Sequence, residues 1–475
     1  MELKSIHRYI VVGMFMLAWG CKAPQVSLRS ENRLTPTSYK TSLDTTNVAF
    51  QSWRNYFADP YLAGLIEEAL SHNQELNIVR QEIEISRNEV LARRGEYRPF
   101  VRLRAGTGIE KEGRYTRNGS VEEQLDIRPG RHFPTPLPDV MLGAYATWEL
   151  DIWHKLRNAT QSAMYRYMAS VEGKNFVVTN LVAELAEGYY ELMALDNLLH
   201  IIEQNIGIQT NALRVVRQQK EAAKVSQLAV NRFEAQLLNT QNLRYDIQQK
   251  ITETENRLNF LAGRQPQPIQ RSSEAFEGLS LGELQAGVPS QLLLNRPDIR
   301  QAEANLQATK LNVSVARANF LPSVGISAGV GLRAFNPVLL LRPESILFNT
   351  LGDLVAPLVN KNAIQAQFNT ATAQQIQAVV QYEQAILNAH VDVLNQLAKI
   401  DNYTQSYDTK KREVEILQQS VNIANSLFNS ARADYAEVLL TQREALDAKI
   451  DLVEVKLKQL HAKVNIYRAL GGGWR

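Results

Sequence analysis

The residues able to do chemistry are few and scattered. Seven histidines are spread over 475 residues, and none forms a His/Glu pair at the helical spacing a metal site needs. No glycine-rich phosphate loop and no nucleophile elbow occurs. Met164 and Met168 share a helical face, which two thioethers could offer to a soft cation; core packing is the plainer reading. The chain has one thiol, Cys21. Alone it cannot form an internal disulfide, and acylation is the chemistry its position suggests. Charge gathers instead in two basic runs: Arg214, Arg217 and Lys220, then Lys410, Lys411 and Arg412. With a net charge of +3, no nucleic-acid footprint is implied. Nothing points to an enzyme, a cofactor or a resident metal.

The surroundings of Cys21 specify that chemistry. Lys4, His7 and Arg8 precede an apolar stretch at 9–19, the layout of a secretory signal. Leu17-Ala-Trp-Gly-Cys21 resembles a bacterial lipoprotein signal, in which the thiol is acylated and becomes the new N-terminus. Residues 1–20 are then a signal peptide. Residues 21–58, polar and holding Pro24 and Pro36, are an acylated tether laid over the surface. Firm attachment takes two acyl signals, and this N-terminus would anchor the chain in outer-membrane lipid.

The rest of the chain contains itself twice. Asn73-Gln-Glu-Leu76 lines up with Arg296-Pro-Asp-Ile299, 223 positions on, and Pro99 with Pro322 at the same offset. Asp196-Asn197 matches Asp401-Asn402 at 205 and Leu261-Ala-Gly263 matches Ala469-Leu-Gly471 at 208. One internal segment is therefore shorter in the second copy. A repeat of ~200 residues is too long for a solenoid, whose units run roughly 20–50. It reads as a duplicated half-protein: 59–263, a joint at 264–294 rich in Pro and Gly, and 295–475.

Each half opens with a helix. Asp59 caps the first and Pro60 fits its first turn; that helix is expected to reach about residue 97. The second opens near Asn295-Arg-Pro297-Asp298. After Pro99 the period becomes two: Val101, Leu103, Ala105 and Thr107 alternate with Arg102, Arg104 and Gly106. After Pro322, Val324, Ile326, Ala328, Val330 and Leu332 alternate with Ser and Gly. Return strands are expected at 141–150 and 346–355, giving hairpins at 99–150 and 322–355. Irregular loops at 113–138 and 333–343 separate the strands.

Long helices follow. No proline occurs between Pro138 and Pro266, and 358–470 holds neither proline nor glycine. Leu181, Leu185, Leu192, Leu195, Leu199, Ile202 and Ile206 keep heptad spacing. So do Leu446, Ile450, Val453, Leu457, Leu460, Val464 and Tyr467, and both blocks imply coiled-coil packing. Reversals are expected near 222–227 and 430–436. The outgoing arm is about 70 residues, roughly 105 Å at 1.5 Å per residue.

Four strands with one apolar face and two free edges cannot close alone. Several copies sharing the sheet would close a barrel, the form in which strands cross a membrane. Arg102 and Arg104 should then face the lumen, because a charge on the lipid face costs ~2–4 kcal/mol at mid-depth. No apolar run long enough for a spanning helix follows the N-terminus.

Specific segments carry a resemblance to a known family. Asn295-Arg-Pro-Asp-Ile-Arg-Gln-Ala-Glu303, Val315-Ala-Arg-Ala-Asn-Phe-Leu-Pro322, Trp148-Glu-Leu-Asp-Ile-Trp153, Tyr435-Ala-Glu-Val-Leu-Leu-Thr-Gln-Arg443 and Leu470-Gly-Gly-Gly-Trp474 resemble the TolC-like outer-membrane efflux proteins, in their lipoprotein or NodT-type branch. The resemblance covers about 55–474. It implies a mainly α fold with a small β part, forming a homotrimer. The trimer would have a twelve-strand outer-membrane β-barrel and a twelve-helix periplasmic α-barrel. It also implies a periplasmic adaptor and an inner-membrane pump of RND type as partners.

In that family acidic residues at the second tip line a constricted mouth. Glu437 takes one such position, and Leu440 stands where a second aspartate is usual, so at least one ring here is apolar. Arg432, Asp434 and Tyr435 are neighbours able to hold the mouth shut. The two basic runs are either solvated faces or adaptor-docking patches. Trp148 and Trp153 belong to an aromatic girdle or to a barrel–helix junction.

The resulting reading is a passive, gated exit duct for drugs, toxic solutes or metal ions. A protein-secretion duct is the alternative within the family. A coiled-coil surface fibre or scaffold without a channel is the alternative outside it, opposed by the four strands and the duplication.

Overall fold

The structure, a computed structural model, describes residues 23–39, 45–279, 285–357, 359, 361–430 and 432–475, without the side chain of Asn429. Cys21 and the signal expected at 1–20 lie outside the described residues. The fold is mainly helical with one small four-stranded sheet. Two compact units divide it, and each draws on both halves of the duplication.

The first unit, from Glu84–Tyr167 and Ala304–Val379 with residues up to Ser30, carries the sheet. Its strands are β1 (Phe100–Glu110), β2 (Leu137–Leu150), β3 (Ser323–Ala334) and β4 (Ile346–Val355). They form an antiparallel meander in that order. The central pair β2–β3 joins the two halves of the chain. β1 and β4 are the edges, each with its outer side unpaired among the described residues.

Register fixes the faces, because directly opposed residues share a side. Leu103, Ala144, Val330 and Phe348 form one row of an apolar face. Arg102, Tyr145, Gly329 and Asn349 form the adjacent row, on the opposite, polar face. The apolar face is uncovered: Leu103 is 77% exposed and Phe348 82%.

The segment 113–138 is not a plain loop. Thr116 accepts from the Gly119 amide at 3.1 Å and caps a helix at Arg117–Gln124. A ribbon pairing Asp126–Arg128 with Arg131–His132 follows. Capping by a threonine within a charged stretch gives no apolar period for a sequence reading to detect.

The second unit comprises described residues of Glu31–Ile83, Met168–Glu303 and Val380–Arg475. Its opening helix is broken, unlike the single helix expected: α1 is Pro60–His72 and α2 is Gln74–Glu96. Asn73 takes an extended ψ of 129°, caps the Leu76 amide and donates to the Leu261 carbonyl. A side chain that bonds backbone on both sides outcompetes helix continuation. α5 (Pro297–Ala318) opens the second half, behind a single turn at Leu292–Asn295.

The long helices are α3 (Lys155–Glu221, 67 residues), α4 (Gln227–Leu261, 35), α6 (Asn362–Asn429, 68) and α7 (Tyr435–Ala469, 35). The heptad leucines at 181, 185, 192 and 195 are buried, as are Leu446, Val453, Leu460, Val464 and Tyr467.

Residues 47–57 are not a surface tether. Val48, Ala49, Trp53, Tyr56 and Phe57 are buried. Tyr56 stacks on Tyr467 with ring centroids 4.3 Å apart, and the Tyr467 hydroxyl donates to the Gln51 carbonyl at 2.7 Å. Aromatics in a polar stretch mark it as core rather than linker. Met168 is 48% exposed and Met164 half-buried, so in the single chain neither is core.

Candidate functional site

Three places concentrate specific side chains: the strand–helix junction, the polar sheet face and the helical tips. At the junction, Trp148 Nε1 donates to the Tyr97 carbonyl at 3.1 Å and Trp153 Nε1 to the Pro322 carbonyl at 2.6 Å. Between them Asp151 accepts from the Leu156 and Arg157 amides at 2.8 and 3.0 Å, capping α3. Both tryptophans therefore pin strand ends to the turns that feed the hairpins.

On the polar face, Arg102 lies opposite Tyr145 and Arg104 opposite Gly143. Both arginines are exposed and neither makes a side-chain hydrogen bond or ion pair among the described residues. Arg333 on the same face is held by Asp139, at 2.9 and 3.0 Å.

The two tips close alike. The Lys224 amide donates to Gln219 O at 2.9 Å and the Arg432 amide to Leu427 O at 2.8 Å. This is the bond that closes a Schellman turn. Ser226 and Asp434 then occupy N-cap positions, neither with a side-chain cap bond. Asp434, Arg432, Glu437 and Leu440 are exposed, Leu440 at 56%. Among the described residues the three charged side chains make no side-chain bond. A negative charge at Glu437, in the first turn of α7, favours the helix dipole.

Tyr435 departs from the other four. It packs with Phe428 and Leu439 against a buried cluster of Leu213, Val216, Ala229, Val230, Phe233 and Leu237. The two tips thus share one apolar contact, and Tyr435 belongs to it.

The basic runs are not equivalent. Arg214 and Lys220 are exposed near the first tip, and Arg217 pairs with Glu234 at 3.1 Å. Lys410, Lys411 and Arg412 sit about five helical turns before the second tip. Lys410 is committed, at 2.9 Å to Asp451 and 3.0 Å to Glu413; these bonds, Asp451 first, raise its pKa. Lys411 and Arg412 remain exposed.

One cluster escaped the sequence reading. Arg271, in the Pro-rich joint, meets Asp196 of α3 at 2.6 and 2.8 Å and Glu255 of α4 at 2.6 Å. The bond to Asp196 is the largest influence holding this guanidinium charged, against the cost of burial. Composition marked this stretch as loop, and no local spacing links residues so far apart in sequence.

The class defined is an internally duplicated helical-hairpin protein with an unclosed, two-faced sheet. Its residues 65–264 and 288–472 match the family model described as "Outer membrane efflux protein". The chain belongs to the outer membrane efflux protein family. It is 29% identical over 427 residues to the pyoverdine export outer membrane protein OpmQ of Pseudomonas putida, covering 90% of this chain and 88% of that one. It is 27% identical over 458 residues to the probable outer membrane lipoprotein SilC of Salmonella typhimurium, covering 95% and 93%. The fold matches the open-state MtrE outer membrane channel of Neisseria gonorrhoeae with a TM-score of 0.82 at 22% identity, over 96% and 99% of the two chains.

Proposed function

We propose that three copies of this chain form the outer-membrane exit duct of a tripartite efflux system. The observation that carries this reading is the sheet: two unpaired edges and an exposed apolar face in a chain of the efflux family. Three copies side by side satisfy both edges and turn the apolar face to lipid, with Arg102 and Arg104 in the lumen. The long hairpins continue the duct into the periplasm. The second tip, with Glu437, Asp434 and Arg432 at its exposed rim and Leu440 as an apolar ring, forms the gate. Tyr435 buttresses it from behind. Arg214, Arg217, Lys220, Lys411 and Arg412 offer positive surface to a periplasmic adaptor, and an inner-membrane pump of RND type supplies the energy. Acylated Cys21 anchors the assembly in lipid, as the lipoprotein relative SilC suggests. The cargo is small solutes.

Planar-bilayer recording of the detergent-extracted full chain tests this. Discrete conductance steps are the expected result. A protein that inserts yet never conducts, even with the second tip mutated, contradicts it.

A further inference from the structure

The middle of the polar sheet face carries two guanidiniums and no carboxylate. Two successive rows of that face are set by strand register. One holds Arg102, Tyr145, Gly329 and Asn349; the next holds Arg104, Gly143, Gly331 and Leu347. No carboxylate occurs in either row. Three of the positions are glycine, and the space beside two of them, Gly143 and Gly329, is taken by the uncharged Tyr145 ring and Asn349 amide.

The acids of this face stand off at both ends. Asp353 is four strand positions beyond Asn349, and Asp139 four positions from Gly143. At ~3.3 Å per residue each lies about 13 Å away along the strand. That exceeds the Debye length, about 8 Å at physiological salt. Asp139 is already neutralised by Arg333, and Glu149 on this face is paired with Lys155. Glu110 lies further still, at the end of β1.

We propose that Arg102 and Arg104 form an anion-selecting belt at mid-barrel, so that the duct favours cargo bearing carboxylate, phosphate or sulfonate groups. The proposal rests on the channel reading above. Threefold repetition around a closed barrel would set two stacked rings of three arginines into the aqueous passage. Rings of arginine select anions by fixed charge. The belt acts on every solute that passes, independently of whatever the pump selects.

The test is the reversal potential of the full-length trimer in a potassium chloride gradient. Wild type is compared with R102Q/R104Q and R102E/R104E, and trimer mass in detergent is confirmed for each. The reversal potential should move toward potassium preference in the glutamine variant and further in the glutamate variant, with discrete conductance kept. The same reversal potential in all three conducting proteins overturns the belt while leaving the channel reading standing. Absence of conductance in all three overturns the channel reading, and the belt with it. Should the variants fail to assemble, wild type alone decides. Raising the salt at constant ratio should weaken chloride preference, as exposed fixed charges are screened; a reversal potential indifferent to salt overturns the proposal.

Discussion

Asn73 and Arg296 stand at equivalent places in the two halves, and each donates to the carbonyl at the end of its half's returning helix. Asn73 Nδ2 reaches Leu261 O at 2.8 Å, and Arg296 Nη1 reaches Ala469 O at 3.0 Å. A neutral amide and a buried guanidinium thus make the same joint, the second balanced by Asp298 at 2.7 Å. Duplication preserved the geometry and exchanged the chemistry.

Two glycines complete these joints. Gly263 has φ +70° and Gly471 φ +89°; an added Cβ would lie 2.3 Å from His72 O and 2.6 Å from Asn295 O. Gly263→Ala and Gly471→Ala should each destabilise by at least about 1–3 kcal/mol, the cost of a strained backbone position. Gly64→Ala, in a helix with open space around it, should be neutral or gain up to ~1 kcal/mol. Thermal unfolding of the three variants in detergent checks the contrast.

Arg271→Met leaves Asp196 and Glu255 facing each other without their cation. Both acids are mostly buried, so a loss of roughly 2–4 kcal/mol is expected, near the range for breaking a buried pair. Adding Asp196→Asn should recover part of it. Denaturant midpoints of the single and double variants read this coupling directly.

Lys456 is buried at 8% exposure, with its ammonium 5.1 Å from the Tyr407 ring centroid. Burial, then Lys463, lowers its pKa. The folded state therefore holds this proton less tightly than the unfolded chain. The penalty is full at neutral pH and disappears as pH rises through the lowered value toward the ordinary lysine range. Lys456→Met should raise the melting temperature at pH 7, with the advantage shrinking under alkaline conditions. An advantage that stays constant with pH would place the effect in packing instead.

Neighbouring residues of β4 should differ sharply. Phe348→Lys puts a charge on the apolar face and should cost ~2–4 kcal/mol per copy at mid-depth. Asn349→Lys, on the polar face, should be tolerated. The yield of folded protein in the outer membrane compares them.

At the second tip, Asp434→Ala with Glu437→Ala should raise single-channel conductance by removing charged groups from the mouth. Unchanged conductance removes both from the gate. Tyr435→Ala should act differently, loosening the contact shared with Phe233 and Leu439 and making openings longer rather than larger.

The strands were legible because alternation of Val101, Leu103 and Ala105 with Arg102 and Arg104 is a local signal, bounded by Pro99. The long helices were legible from the absence of proline, and in the second half of glycine as well. The break at Asn73 was not, because its partner Leu261 is remote in sequence. Nor was the burial of Tyr56 and Phe57, whose stacking partner Tyr467 comes from the other end of the chain. Lys410 read as free surface charge because Asp451, which neutralises it, lies on the returning helix. Apart from the short helix at Arg117–Gln124, hidden by a local cap in a charged stretch, these failures were contacts between segments, and the duplication alone gave some access to them: aligning Asn73 with Arg296 points at both joints.

The central claim is that the open sheet is closed by other copies of the chain. Native mass spectrometry of the detergent-extracted protein tests it most directly. The account requires three times the protomer mass, with the trimer lost when Phe348→Lys is introduced and kept with Asn349→Lys. A monomer or dimer with full helical content would contradict it, leaving the exposed row of Leu103, Val330 and Phe348 without an explanation.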